Sequence, residues 1–227
     1  MKKEKKTCDQ ATCTLCRLCL REWQPALRAS KQNFSLKKGE LLFQENEPVN
    51  GIYFIYKGKM KVHKKWGDKE LIVRFAREGD IVGHRGVGKT MVYPISATAL
   101  EPVTVCYFDI EFFLASLKVN QAFLFELMMF YARELQESEK HMRNIAHMPV
   151  KGRLAYALLN LKEKFGIDAT GFMSLPLSKQ DIAAYIGATY ETVFRMMNEL
   201  VIEQAIELKG KQFAILDEDH LLQLIQE

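Results

Sequence analysis

Leu177-Ser-Lys-Gln-Asp-Ile-Ala-Ala-Tyr-Ile-Gly-Ala-Thr-Tyr-Glu-Thr-Val-Phe-Arg-Met-Met197 reads as two short helices joined at Gly187. Ser178 followed three residues later by Asp181 is a capping-box-like start, because a side-chain oxygen there accepts from the orphan N–H groups of a first helical turn. Ile182, Ala183 and Ile186 then fall on one helical face. Gly187 supplies the backbone freedom that a tight turn needs. Thr189 is placed to cap a second helix, whose apolar face is Val193, Met196, Met197 and Leu200. Tyr190, Glu191, Phe194 and Arg195 are left pointing outward from its first two turns. A carboxylate and a guanidinium four residues apart on such a helix can read base edges in a major groove. The same two groups can also form a surface ion pair worth about 0.2–0.5 kcal/mol. The pattern alone leaves both readings open.

Downstream, Ile206 to Leu216 reads as a hairpin with Lys209 and Lys211 flanking Gly210 at its tip, in the manner of a wing. Upstream, Pro149 marks a boundary. Before it, residues 121–146 contain no Gly or Pro. There Leu124, Leu127, Tyr131, Leu135, Met142 and Ile145 recur at helical steps, which predicts a long amphipathic helix with an apolar seam. Such a seam packs either on its own domain or on a second copy. From Phe34 to Phe108 the period changes. Short β-branched and aromatic runs such as Gly51–Tyr56, Met60–His63, Leu71–Phe75 and Val103–Phe108 alternate with glycines. That spacing predicts an all-β roll, with Trp66-Gly67-Asp68 as a hairpin tip. The first 19 residues read as a polar segment carrying cysteines.

A chain of 227 residues is long enough for two modest domains with real cores. It has no apolar run of about 18 residues, so no membrane span is expected. Its basic start lacks an apolar core and does not read as a secretory signal. A cytoplasmic location is expected, where five cysteines read as thiols or metal ligands before disulfides. The net charge of +4 does not argue for nucleic acid by itself. Residues 149–227 carry 8 Lys/Arg against 11 Asp/Glu, and the basic excess lies earlier in the chain. Phosphate contacts must come from local placement of Ser178, Lys179, Thr189, Thr192, Lys209 and Lys211, with help from helix N-termini.

The helix pair resembles the C-terminal helix-turn-helix of the Crp/Fnr family of bacterial transcription regulators. Lys38-Gly-Glu-Leu-Leu-Phe-Gln-Glu45, Ile52-Tyr-Phe-Ile-Tyr-Lys-Gly-Lys-Met-Lys-Val62 and Glu78-Gly-Asp-Ile-Val-Gly83 resemble its sensor-domain motifs, in order. The likeness runs from about Phe34 to Leu222. It implies an α+β chain: a cysteine-bearing segment over 1–20, a β-roll of the cyclic-nucleotide-binding type over 21–116, a dimerisation helix over 117–148 and a winged helix-turn-helix over 149–227. It further implies a homodimer, double-stranded DNA and RNA polymerase as partners. Glu191 and Arg195 match the family's two base-reading positions, which implies a palindrome with a GA-like half-site core. Phe194 and Tyr190 depart from the family's usual residues, so altered flanking preference is expected.

The family's cyclic-nucleotide-binding members have a Glu where this chain has His84, and an Arg-Ser pair where it has Ile95-Ser96. Without that Arg there is no bidentate clamp for the phosphate. Arg85 adjoins His84, and on a strand the two would face opposite ways. Cyclic AMP is therefore not expected, and another effector would meet Gly83, His84, Arg85, Ile95 and Ser96. Cys8, Cys13, Cys16 and Cys19, with Cys106 on a late strand, resemble the oxygen-sensing FNR branch and its [4Fe–4S] cluster, although the N-terminal spacing differs. Zinc, or thiols without metal, suit the same residues. Haem would need an axial ligand, for which His84 is the candidate. Two other classes suit the sequence less well. A cupin-like metal enzyme needs a His-x-His pair, which does not occur here. A dimeric ligand-binding adaptor would have no use for Glu191 and Arg195.

Overall fold

The computed structural model describes residues 1–4, 13–175 and 177–226. Cys8 lies outside the described residues. Two compact units are present: Met1–Lys64 with Val73–Leu135, and Lys65–Ile72 with Gln136–Glu227.

The first unit begins with β1 (Lys2–Glu4), α1 (Thr14–Leu18), a 3-10 turn at Arg21–Trp23 and α2 (Gln24–Ser30). There follow β2 (Gln32–Leu36), β3 (Leu41–Phe43), β4 (Gly51–Lys57), β5 (Met60–Trp66), β6 (Lys69–Ala76) and β7 (Ile81–Val82). After a second 3-10 turn at His84–Gly86 come β8 (Ser96–Ala99), β9 (Val103–Asp109), α3 (Ile110–Val119) and α4 (Gln121–His147). The strands form two sheets, ordered β1-β2-β9-β4-β7 and β3-β8-β5-β6. This is the expected β-roll, with Trp66 exposed at the β5–β6 tip.

β4 shows why the roll forms. Its residues are buried on both faces, and they alternate between two cores. Tyr53 and Ile55 join Phe43, Tyr93, Ile95 and Val105 in one. Ile52 and Phe54 join Phe108, Phe113 and Phe123 in the other. Side chains two apart share a face of a strand, so one near-continuous apolar run feeds both cores. Each fully buried Ile or Phe contributes about 1.5–3 kcal/mol of transfer free energy. Gly51, at the head of β4, has no room for more: a Cβ there would lie 2.2 Å from the Tyr107 ring.

The second core corrects the reading of the N-terminus. Leu15 and Leu27 are buried with Cys13, Cys16 and Cys19 against the outer face of the sheet. β1 pairs with β2 at the sheet's edge, so residues 2–4 and 13–19 are part of the roll rather than a polar appendage. Buried Asn120 holds the arrangement. Its Oδ1 accepts from Leu20 N–H at 2.7 Å and its Nδ2 donates to Ser116 O at 2.8 Å. At this residue the chain bends by 110° between α3 and α4. Residues 117–119 therefore belong to α3, and the long helix starts at Gln121.

The expected seam on α4 divides. Leu127 is buried in the second core of its own unit, and Tyr131 donates a hydrogen bond to His84 O at 2.5 Å. Leu124, Leu135 and Met142 are exposed, as are Phe125, Met128 and Met129. Ile145 is half-buried. Two residues assigned to the seam thus serve the sensor unit, because a helix packed on a sheet must spend one apolar face there.

The second unit continues with α5 (Val150–Phe165), α6 (Lys179–Ile186), α7 (Tyr190–Ile202), β10 (Ile206–Lys209), β11 (Gln212–Ile215) and α8 (Glu218–Gln226). Pro149 stands immediately before α5, where its missing N–H costs nothing. Leu154, Leu158, Ile182, Val193, Leu200 and Leu221 are fully or almost fully buried. Among the described residues no single helix is long and apolar enough to cross a membrane.

Candidate nucleic-acid interface and sensor face

The capping box forms as the sequence predicts. Ser178 Oγ accepts from Asp181 N–H at 3.0 Å, and the Asp181 carboxylate accepts from Ser178 N–H at 3.3 Å. α6 ends at Gly187 with φ +65°, in the left-handed region that favours glycine. Thr189 then caps α7, its Oγ1 accepting from Thr192 N–H at 3.2 Å. The two threonine hydroxyls stand 3.0 Å apart.

α7 buries Val193, Met197 and Leu200, and Met196 is half-buried. Its opposite face presents Tyr190, Glu191, Phe194 and Arg195, all exposed. The rings of Tyr190 and Phe194 stack with centroids 6.2 Å apart, and Lys179 Nζ lies 5.5 Å from the Phe194 centroid. The ion-pair alternative takes a different partner. Arg195 Nε is 3.9 Å from Glu199 Oε1, one turn downstream, rather than bound to Glu191. With the Arg195 side chain 70% exposed, that contact is weak and can be given up to a base.

The wing is the β10–β11 pair, with Lys209 opposite Gln212 and Gly210 and Lys211 at the tip. The two lysines diverge. Lys209 Nζ sits 5.6 Å from the centroid of Phe172, which draws it back toward the wing's base. Lys211 lines a cleft of about 240 Å³ together with Ser178, Lys179, Gln180, Tyr190 and Gln212. The structure thus brings the start of α6, the start of α7 and the wing tip around one opening. Gln180 and Gln212 were not singled out in the sequence. Nothing distinguishes them there, since their place depends on the wing folding beside α6.

The structure gives the five residues expected to form an effector pocket different settings. Ile95 belongs to the core inside the roll, packed with Phe43, Tyr53 and Tyr93. Ser96 Oγ accepts from Glu45 N–H at 2.9 Å. Gly83, at φ +89°, turns the chain into the 3-10 segment His84–Gly86. That turn overrides the strand argument for His84 and Arg85: both contact α4. The His84 ring meets Phe130 and Tyr131 edge-on, at centroid distances of 5.0 and 5.2 Å. Arg85 donates to Glu134 Oε2 at 2.8 Å.

Glu134 is a site residue that the sequence did not reveal. It receives Arg85 and also Arg74, whose Nε is 3.3 Å away. Arg74 is buried, its Nη2 donating to Ile81 O at 2.5 Å and its Nη1 lying 3.7 Å from Asp80. Burial pulls the Arg74 pKa down, and Glu134 and Asp80 oppose that. Burial, with Arg74 and Arg85 nearby, holds His84 well below the usual histidine range. His84 is therefore neutral, and its 3.9 Å approach to Glu134 is no ion pair.

Cys13, Cys16, Cys19 and Cys106 are all buried in the second core. Burial raises the Cys19 thiol pKa. Among the described residues no three His, Cys, Asp or Glu side chains stand together as a metal-ligand set. The four described thiols share one buried cluster, and Cys8 lies outside the described residues.

A capped helix pair with a wing, on the same chain as a β-roll and a long helix, defines a sensor-linked DNA-binding regulator. Residues 33–120 match the family model of the cyclic nucleotide-binding domain, and residues 152–224 that of the Crp-like helix-turn-helix domain. The chain belongs to the Crp/Fnr family of DNA-binding transcription regulators, not to an enzyme family. It is 30% identical over 198 residues to the transcriptional activator protein anr of Pseudomonas aeruginosa, covering 86% of this chain and 80% of that one. It is 29% identical over 191 residues to the transcriptional activator protein FnrA of Stutzerimonas stutzeri, covering 82% and 78%. The solved structure of FixK2 from Bradyrhizobium japonicum superposes with a TM-score of 0.77 at 25% identity, covering 86% of this chain and 96% of that one.

Proposed function

We propose that this protein is a cytoplasmic homodimer that binds a palindromic DNA site with a GA-like half-site core and acts with RNA polymerase. The observation that carries the reading is the outward face of α7. Glu191 and Arg195 are exposed there while the helix's other face is locked into its unit. Arg195 reads guanine O6 and N7 bidentately, and Glu191 accepts from a cytosine amino group. Phe194, pinned by Tyr190 and Lys179, offers a thymine methyl a flat apolar partner. Ser178, Lys179, Thr189, Thr192 and Lys211 hold phosphates, with Lys209 in a lesser role. The exposed row Leu124, Met128, Leu135 and Met142 on α4 is the surface offered to the second copy. Titration of fluorescent duplexes tests this. GA-core palindromes should bind far more tightly than scrambled duplexes of equal length, and equal affinity for both would refute the assignment.

The signal is not cyclic AMP in this reading. The interior of the roll is filled by Phe43, Tyr53, Tyr93 and Ile95, and Ile95 stands where the family's cyclic-nucleotide-binding members have an arginine. The relatives named for activation by cyclic AMP, such as that of Mycobacterium tuberculosis, are 26–28% identical to this chain. The buried thiols are the groups best placed to carry a redox or gas signal, because they form part of the packing between the N-terminal segment and the sheet. Anaerobic purification with iron and sulfide analysis, beside thiol titration under air, separates cluster chemistry from thiol chemistry.

A further inference from the structure

Three side chains near the end of α4 and the start of α5 each bury a polar atom that has no protein partner: His141 Nε2, Asn144 Nδ2 and Arg153 Nε. All three residues line the same cavity, together with Tyr156, Tyr185 and Ile186. The cavity's volume is about 10 Å³. That is roughly the space one water molecule's centre needs in a protein interior. Buried polar atoms without partners are rare, and three converging on one small cavity point to a shared ligand.

The chemistry of the three atoms specifies that ligand. Asn144 is 3% exposed, and its Oδ1 accepts from Arg143 Nη2 at 2.8 Å and Nε at 3.2 Å. Those bonds fix the amide's orientation and turn its N–H₂ toward the cavity. Arg153 Nε–H is a donor in every state of the side chain. Its Nη1 is occupied elsewhere, donating to Ile186 O at 2.9 Å and lying 3.4 Å from both Ile145 O and Gly187 O. His141 stacks on Tyr185 with ring centroids 5.2 Å apart. In the tautomer protonated at Nδ1, its Nε2 is an acceptor. Two donors and one acceptor are therefore carried by residues that line one small cavity. A cation is excluded, because two N–H groups face it.

We propose that this cavity holds a single structural water, which accepts from Asn144 Nδ2 and Arg153 Nε and donates to His141 Nε2. The water fixes the plane of the Arg153 guanidinium. Arg153 in turn holds the carbonyls at the turn of the helix pair and at the end of α4. The site is a wet joint between the long helix and the DNA-reading element, and it stands whether or not the half-site reading above is right.

A crystal structure of the full chain, at a resolution where surface waters are visible, tests the proposal. The expected result is a peak within about 2.7–3.2 Å of all three atoms. Asn144→Leu should abolish that peak, while His141→Gln, whose amide oxygen replaces Nε2, should keep it. Relaxation-dispersion measurement of long-lived waters in solution should count one fewer in Asn144→Leu than in wild type. An absent peak, or the three atoms paired with protein groups, would overturn the proposal. So would an anomalous signal at the site after a bromide soak, which would make the ligand a halide and His141 a donor. The melting temperature should fall by several degrees in Asn144→Leu and by less in His141→Gln.

Discussion

Arg195 and Lys211 illustrate how two cations near one opening differ in what they can do. Arg195 stands on the exposed face of a helix whose opposite face is fixed by Val193, Met197 and Leu200. A planar fork held that way distinguishes guanine from the other bases. Arg195→Ala should cost about 1–3 kcal/mol of discrimination at one G·C pair per half-site. Lys211 is at a hairpin tip beside Gly210 and is a point charge without a fixed direction. Lys211→Ala should weaken all sequences alike and make the salt dependence shallower by about one phosphate contact. Binding isotherms at several salt concentrations, on cognate and scrambled duplexes, separate the two. If both variants lost affinity equally on both duplexes, α7 would not be the reading helix. The residue-level features of this site were legible in the sequence because they are local. Ser178, Asp181, Gly187 and Thr189 each act on backbone within a few positions of themselves. The direction of the Lys209 side chain was not legible, since its Nζ lies over the ring of Phe172, 37 positions away.

At the scale of elements, α4 carries two faces with opposite duties. Leu127 is buried in its own unit and Leu135 is 60% exposed, although the apolar repeat treats them alike. Leu127→Ala should destabilise the sensor unit by about 2–5 kcal/mol and leave the subunit count unchanged. Leu135→Lys should do the reverse, placing an unpaired charge in the proposed two-fold interface and yielding a monomer. Sedimentation with thermal melting checks both, and a dimeric Leu135→Lys protein would move the interface elsewhere. The cluster around Glu134 adds a pH dependence. His84 has a folded pKa well below 6.5, so the unfolded chain takes up a proton that the folded one refuses. Its contribution is complete above the unfolded value of about 6.5, and stability falls as pH drops below it toward the folded pKa. His141, lowered by burial and by Arg153, acts in the same direction. Melting temperatures across this range should decline less steeply with acid in His84→Leu than in wild type. The helix itself could be read from its period. Its division between two partners could not, because Glu134 meets Arg74 and Arg85 only through the fold.

The whole molecule shows the same limit. The strands were legible from alternation and glycine punctuation, and the helix pair from its caps. The cover on the sheet's outer face was not, because Leu15 and Leu27 are single apolar residues amid polar ones, without a period. Only the exposed apolar sheet face that they protect gives them a reason to be buried. This arrangement bears on what the roll can bind. Its inner core is closed by stacked rings, with Phe43 and Tyr93 centroids 4.1 Å apart and Tyr93 donating to Gly51 O at 2.7 Å. A cyclic nucleotide entering there would displace that packing. Its phosphate would also lose water without gaining a cation, since Ile95 stands where an arginine would be needed. Burying an unpaired charge costs several kcal/mol at least. Arg85 cannot make up the loss, because it is bound to Glu134 on α4, and releasing it would leave that carboxylate facing Arg74 alone. Calorimetry should therefore register no heat of binding when cyclic AMP is titrated into the protein at micromolar concentrations. Saturable micromolar binding would mean that the roll opens and that Arg85 leaves Glu134 for the phosphate. Glu134→Gln, which weakens that hold, should then bind the nucleotide more tightly than wild type.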